Sequence, residues 1–162
     1  VGVTKNELGG SHYYRMHGEC GANVPVVNPT GALDIFRKLH GAIKTGLARA
    51  CHDLSEGGLA VALAESAFAG GVGAEVNLQA VPCDDSLTDE QVLFSETNSR
   101  FIVEVEAARQ KDFERTMNGC VTAKVGVVTA KPEFTVIDQS GQRCLSVPLA
   151  RLKEAWQKTL RL

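Results

Sequence analysis

Residues 52–71 read His52-Asp53-Leu54-Ser55-Glu56-Gly57-Gly58-Leu59-Ala60-Val61-Ala62-Leu63-Ala64-Glu65-Ser66-Ala67-Phe68-Ala69-Gly70-Gly71. The first half is a polar, glycine-containing turn and the second is dominated by small and aliphatic side chains. This pattern predicts a helix from about Glu56 to Phe68, with Ser55 as N-cap and Gly70-Gly71 as terminator. The apolar stretch Leu47–Cys51 just before it reads as a strand, so the unit is strand, turn, helix. A helix with small side chains all round can approach a sheet or another helix closely. It is therefore expected at the centre of the fold.

Upstream, Asn28 and Pro29 open a second helix as N-cap and first residue. Leu33, Phe36, Leu39, Ile43 and Leu47 follow at spacings of three and four, which predicts one buried stripe, and Gly46 is the expected stop. Residues 12–27 show no period and read as irregular. Val1–Lys5 reads as the end of a strand running into the turn Asn6-Glu7-Leu8-Gly9-Gly10-Ser11. That beginning, with valine in place of an initiator methionine, leads us to expect a piece of a longer polypeptide.

Downstream, strands are expected at Ala74–Leu78, Phe101–Val105, Ala123–Val128, Glu133–Asp138 and Arg143–Val147, with a turn at Gly141. Helices are expected at Thr88–Phe94 and Ala107–Met117. A last helix, opened by Pro148, carries Leu149, Leu152, Trp156 and Leu160 on one face. Interleaved helices and hairpins give an α/β (α+β mixed) fold: residues 1–162 as one layered domain, with a mostly antiparallel, mixed sheet covered by helices.

The apolar fraction of 44% suffices for a core, and the net charge of -2 comes with no basic cluster, which argues against nucleic acid. The longest nearly apolar run, Leu59–Ala74, is broken by Glu65 and Ser66 and falls short of the roughly 20 residues that span a bilayer. No secretory or transit segment is recognised at the start. Cys20, Cys51, Cys83, Cys120 and Cys144 are widely spaced, without a paired-ligand motif for zinc. They are expected to be reduced and mostly buried, as in a cytoplasmic protein.

Three segments can carry chemistry. In Glu7–Ser11, Gly9 and Gly10 free the backbone to present N–H groups, which with the Ser11 hydroxyl can cradle a phosphate; the alternative is a plain turn. In His52–Gly58, Asp53, Ser55, Gly57 and Gly58 sit at a helix N-terminus, where free N–H groups and the dipole attract anions. Asp53 can also hold a magnesium ion beside phosphates, and His52 can pair with either. The alternative is an ordinary cap, Ser55 bonding to the backbone while Asp53 and Glu56 complement the dipole. In Ser95-Glu96-Thr97-Asn98-Ser99-Arg100, Arg100 can offer a fork to a phosphate or carboxylate, and Glu96 can orient it or bind a substrate hydroxyl. The alternative is a solvated loop with a surface ion pair of little energetic weight.

Taken together and in this order, ELGGS, HDLSEGGLAVALAESAFAG and FSETNSRF resemble the final domain of the phosphoribosylformylglycinamidine synthases, along essentially the whole chain. The wider superfamily of AIR synthase, selenophosphate synthase and thiamine-monophosphate kinase shares a shorter form of the middle signature. The resemblance implies an ATP-dependent ligase of purine biosynthesis in the cytoplasm. Such an enzyme amidates formylglycinamide ribonucleotide with ammonia from a glutaminase domain or subunit. ATP and Mg2+ are then bound mainly by N-terminal domains of the same polypeptide, and this domain is inactive alone. It further implies substrate or phosphate contacts at Gly9, Gly10, Ser11, Asp53, Ser55, Gly57, Gly58, Glu96, Ser99 and Arg100, with Asp53 as the metal candidate. Thr97 stands where the family more often has serine, keeping the hydroxyl. Other readings are a purely structural module of the same enzyme and a superfamily member acting on another acceptor. An isolated piece is also expected to self-associate through apolar surface.

Overall fold

The structure, a computed structural model, describes residues 1–158. Helices α1 (His12–Met16), α2 (Pro29–Lys44), α3 (Gly58–Gly70), α4 (Asp89–Phe94), α5 (Gln110–Thr116) and α6 (Leu149–Lys158) alternate with strands β1 (Ala48–Asp53), β2 (Gly73–Asn77), β3 (Phe101–Val105), β4 (Gly126–Thr129), β5 (Glu133–Ile137) and β6 (Arg143–Pro148). The mixed α/β class is as expected from the sequence. The strands, however, fall into two sheets: an antiparallel pair β1-β3 and a four-stranded sheet ordered β4-β2-β5-β6. In the larger sheet β2 and β5 run parallel while the outer pairings are antiparallel.

Helix α3 explains the division. It leaves β1 through a short turn and packs against β1 and β3 of the smaller sheet and β2 of the larger one, with α4 and α6 also against it. The β2–β5 register sets Ala74 beside Phe134 and Val76 beside Val136. Val76, Phe134 and Val136 are thereby buried with Leu59, Ala62, Leu63 and Ala67 of α3 and Leu149 of α6. Burial of each large aliphatic or aromatic side chain contributes about 1.5–3 kcal/mol, so this is the main core. A smaller core joins Leu39 and Ala42 of α2 to Leu47, Phe113 and Met117, with Phe101, Val103 and Val105 of β3 packed on it.

Several expectations need correction. Val1–Lys5 is not a regular strand: it makes a parallel bridge, Thr4 to Cys83, while Val1 exchanges backbone hydrogen bonds with Phe101 of β3 at 2.9 and 3.0 Å. The stretch 12–27 contains α1, capped by Ser11 Oγ accepting from the Tyr14 N–H at 3.2 Å; five residues are too few to show a period. Of the expected stripe only Leu39 and Leu47 are buried, Leu47 just beyond the end of α2, while Leu33, Phe36 and Ile43 are 46–48% exposed. Alanines 32 and 42, small enough to be overlooked in a stripe, carry the contact instead. The cysteines are free and none is fully buried; Cys20, Cys51 and Cys144 are exposed. Pro148 ends β6, and α6 starts one residue later with Leu149 buried and Trp156 half exposed. Leu160 lies outside the described residues.

Candidate functional site

The three sequence segments meet, and the 95–100 stretch is what joins them. Ser95 Oγ donates to the Lys5 carbonyl at 2.7 Å and the Glu96 N–H donates to the Glu7 carbonyl at 3.1 Å. The Lys5 N–H donates to Thr97 Oγ1 at 3.1 Å, so the hydroxyl that Thr97 keeps in place of a serine is spent inside the protein. On the other side the Leu54 N–H donates to the Arg100 carbonyl at 2.9 Å. Glu96 then reaches both neighbours: its Oε1 accepts from the Gly57 N–H at 2.9 Å and the His12 N–H at 3.4 Å.

Helix α3 begins differently from expectation. Ser55 makes no side-chain cap; its carbonyl accepts from the Gly58 N–H at 3.0 Å, and Gly57 is the N-cap in the left-handed region, with φ of 78°. The carboxylate that serves this end comes from Glu96, 39 residues away, and complements the dipole as a local acidic residue would. Gly58 has φ of 59°, and a Cβ there would overlap the Ser95 carbonyl and lie 2.8 Å from that of Leu93. The paired glycines therefore let the helix start sit directly on the 93–96 backbone.

The glycine turn does not present free N–H groups. Those of Gly9 and Gly10 donate to the carbonyls of Asn23 and Cys20, each at 2.7 Å, and that of Ser11 donates to Leu8 at 3.0 Å. A Cβ on Gly9 would stand 2.7 Å from the Asn23 carbonyl carbon, so the 20–23 strap lies tight against the turn.

Arg100 also departs from its reading as an outward fork. It is 2% exposed, and its guanidinium donates to Thr4 Oγ1 at 2.9 Å, to the Thr97 carbonyl at 3.1 Å and to the Ser95 carbonyl. Burial lowers its pKa to about 10, against the opposing fields of Cys83 and Glu7. Arg100 thus fixes the shape of the 95–99 loop, where Ser99 is held at φ of 61°, an unusual conformation for a residue with a Cβ.

Asp53 and Ser55 are exposed on the turn. His52 bridges the turn and the helix, with Nδ1 2.7 Å from the Asp53 carbonyl oxygen and 3.7 Å from Asp53 Oδ1, and Nε2 3.2 Å from Glu65 Oε2. Glu65 also accepts from the Trp156 indole N–H at 2.9 Å, tying β1 through α3 to α6. Among the described residues no three His, Cys, Asp or Glu side chains gather as a metal site would need. Asp53 fits a cation only as one ligand among others supplied from elsewhere. His12, just after the glycine turn, also belongs here: its N–H joins Glu96 and its ring lies 3.5 Å from Glu56. Sequence reasoning missed the burial of Glu7; nothing in a polar turn marks a carboxylate as interior.

Comparison with known proteins bears on this arrangement. Residues 2–139 match the family described as AIR synthase related protein, C-terminal domain. Over 162 residues the chain is 36% identical to the phosphoribosylformylglycinamidine synthase subunit PurL of Renibacterium salmoninarum, covering 99% of this chain and 21% of that protein. Among solved structures, Thermotoga maritima PurL complexed with FGAR superposes with a TM-score of 0.79 at 21% identity, over 93% of this chain and 26% of the other. The hydrogenase maturation protein HypE superposes less closely, with a TM-score of 0.60 at 16% identity over 88% of this chain and 49% of that one. The chain thus spans about a fifth of the length of the PurL relative.

Proposed function

The chain belongs to the AIR synthase related protein family as a C-terminal domain, and from that premise we propose that it serves in a phosphoribosylformylglycinamidine synthase. In that role it takes part in the ATP-dependent amidation of formylglycinamide ribonucleotide with glutamine-derived ammonia, in the cytoplasm. Residues 1–162 act as one domain that other domains of the polypeptide complete. Alone it is inactive in this reading, since it spans only 21% of the length of the PurL relative. One observation carries the reading: the three signature segments close on a single point, Glu96, between the N–H groups of Gly57 and His12. Resemblance along 99% of this chain to a PurL subunit supports it.

Within that reading the residues divide by exposure. Asp53 and Ser55 at the mouth of the turn, with Ser99 on the facing loop, offer polar groups to a ligand held by neighbouring domains. Asp53 is the one placed to share a magnesium ion with ATP phosphates. Gly57, Gly58 and Glu96 set the helix start against the loop, and Arg100 is a positioning residue for it. Gly9, Gly10 and Ser11 take a phosphate only if the carbonyls of Cys20 and Asn23 release their N–H groups. A glutaminase domain or subunit supplies ammonia, as expected of an amidating ligase of this kind. The half-exposed Leu33, Phe36 and Ile43 favour contact with another surface, and self-association of the isolated chain where none is offered.

A second reading, a structural module without ligand contact, draws on the internal satisfaction of the Gly9, Gly10, Ser11, Gly57 and Gly58 N–H groups. Growth without purines separates the two when the full-length enzyme carries Asp53→Ala in this domain and its protein level is normal. Loss of growth is the expected result; normal growth assigns the turn to the structural role.

A further inference from the structure

Asn118, just past the end of α5, is the only asparagine of the chain that is followed by glycine. Asn118 and Gly119 are both exposed, and Gly119 has φ of 84°. The Lys38 ammonium, on α2, donates to the Asn118 carbonyl at 2.6 Å and to Asp34 Oδ2 at 2.7 Å. The bond to Asp34 holds the Lys38 pKa above the usual lysine value, so the group stays charged. The Asn118 carbonyl and the Gly119 N–H belong to one conjugated amide. A cation on the oxygen therefore favours the form in which the nitrogen has lost its proton. Among the described residues the Gly119 N–H donates to no acceptor. A Cβ at Gly119 would stand 3.2 Å from Lys38 Nζ, so glycine also makes room for the ammonium. We propose that Asn118 is a self-modification site, at which Lys38 promotes attack of the Gly119 nitrogen on the Asn118 side-chain amide.

Water is the only other reactant. The Gly119 nitrogen gives its proton to solvent base and bonds to Asn118 Cγ. The Cγ–Nδ2 bond breaks, and the side-chain nitrogen takes a proton and leaves as ammonia. The cyclic succinimide then adds water at either of its carbonyls, giving aspartate or isoaspartate. Isoaspartate places an extra backbone carbon in the turn where the Cys120 N–H donates to the Met117 carbonyl at 2.8 Å. Met117 is 1% exposed in the smaller core, so the product falls on the seam between α2 and α5. Other asparagines are less suited. Asn28 precedes proline, which has no N–H to lose. Asn77 Oδ1 is held by the Gln79 N–H at 2.9 Å, and Asn23 is followed by the branched Val24. The chemistry needs no partner domain and is independent of the ligase role.

Timed incubation of the folded chain at mildly alkaline pH tests this, with ammonia release and peptide mapping for isoaspartate as readouts. Asn118 is expected to convert ahead of Asn6, Asn23, Asn77 and Asn98. Lys38→Met is expected to slow its conversion about fivefold, the scale of one net hydrogen bond. Lys38→Arg keeps a charged donor and is expected to retain most of the rate. In urea the parent and Lys38→Met are expected to convert alike, because the contact exists only in the folded chain. Faster conversion in Lys38→Met would mean that Lys38 merely pins the turn, and overturns the proposal. Equal rates in the folded proteins, a slowing that persists in urea, or earlier conversion of another asparagine overturns it too. Lys38→Gln, uncharged and of similar length, serves in the same comparison where Lys38→Met does not fold.

Discussion

Helices α2 and α3 are the two long helices built on either side of β1, and they use their apolar residues in opposite ways. α2 has the more regular amphipathic sequence, yet Leu33, Phe36 and Ile43 stay about half exposed and the contact falls on Ala32, Leu39 and Ala42. α3 has almost no polar side, and it buries Gly58, Leu59, Ala62, Leu63 and Ala67 between two sheets. The lesson is that periodicity reports a helix with a face, whereas small apolar residues on most sides report a helix packed closely against several elements, even though Val61 of α3 stays exposed. The second signal placed the centre of the fold, and the first overstated how much of α2 is covered.

This contrast can be broken experimentally. The largest effect is expected under α3: Phe134→Ala should cost about 3–5 kcal/mol in urea unfolding, as deletion of a buried aromatic ring does. A loss below 1 kcal/mol would mean that the four-stranded sheet is not the main core. Gly58→Ala should cost about 3 kcal/mol, combining a left-handed backbone penalty of roughly 1–2 kcal/mol with overlap against the 93–95 carbonyls. A neutral Gly58→Ala would show that α3 does not begin where its contact with that loop places it. Glu96→Ala removes the acceptor shared by Gly57 and His12 and should cost about 1–2 kcal/mol, the scale of a lost N-cap. Amide exchange at Gly57 should speed up at the same time.

On the α2 side, Phe36→Ser should change stability by less than about 1 kcal/mol, since the ring is already half exposed. It should instead lower the average mass seen by light scattering at high concentration. An unchanged mass would separate that face from self-association. The smallest effect is expected far from both helices, at the Asp138 turn. There the carboxylate accepts from the N–H groups of Ser140 and Gln142 and from the Ser140 hydroxyl. Those bonds, led by the Ser140 hydroxyl, hold its pKa below the usual aspartate value. A depressed carboxylate pKa adds stability that is present above the unfolded value near 3.8 and is lost as pH falls through the folded one. The melting temperature of Asp138→Ala should therefore lie slightly below that of the parent at neutral pH and converge with it in acid.

Much of this was legible before any coordinates. The Asn28 cap and Pro29 start of α2, the Phe101–Val105 strand and the Thr88 start of α4 are set by neighbours in the chain, because caps, turns and alternation act over a few residues. The ELGGS, HDLSEGGL and SETNSR segments also stood out, being polar or glycine-rich where the surrounding pattern is apolar. Their roles were not legible. Nothing in the chain near Gly57 says that its N–H is met by Glu96, and Arg100 carries no mark of being interior. The sequence by itself determined most of the elements, their class and the family, but neither α1 nor the division into two sheets. Only the tertiary structure decided that Glu96 serves α3, that Arg100 is spent inside, and that one oxygen of Glu7 lies buried and unpaired among the described residues. Hydrogen-bond partners and burial depend on distances between segments up to a hundred residues apart, and those distances exist only once the chain has folded.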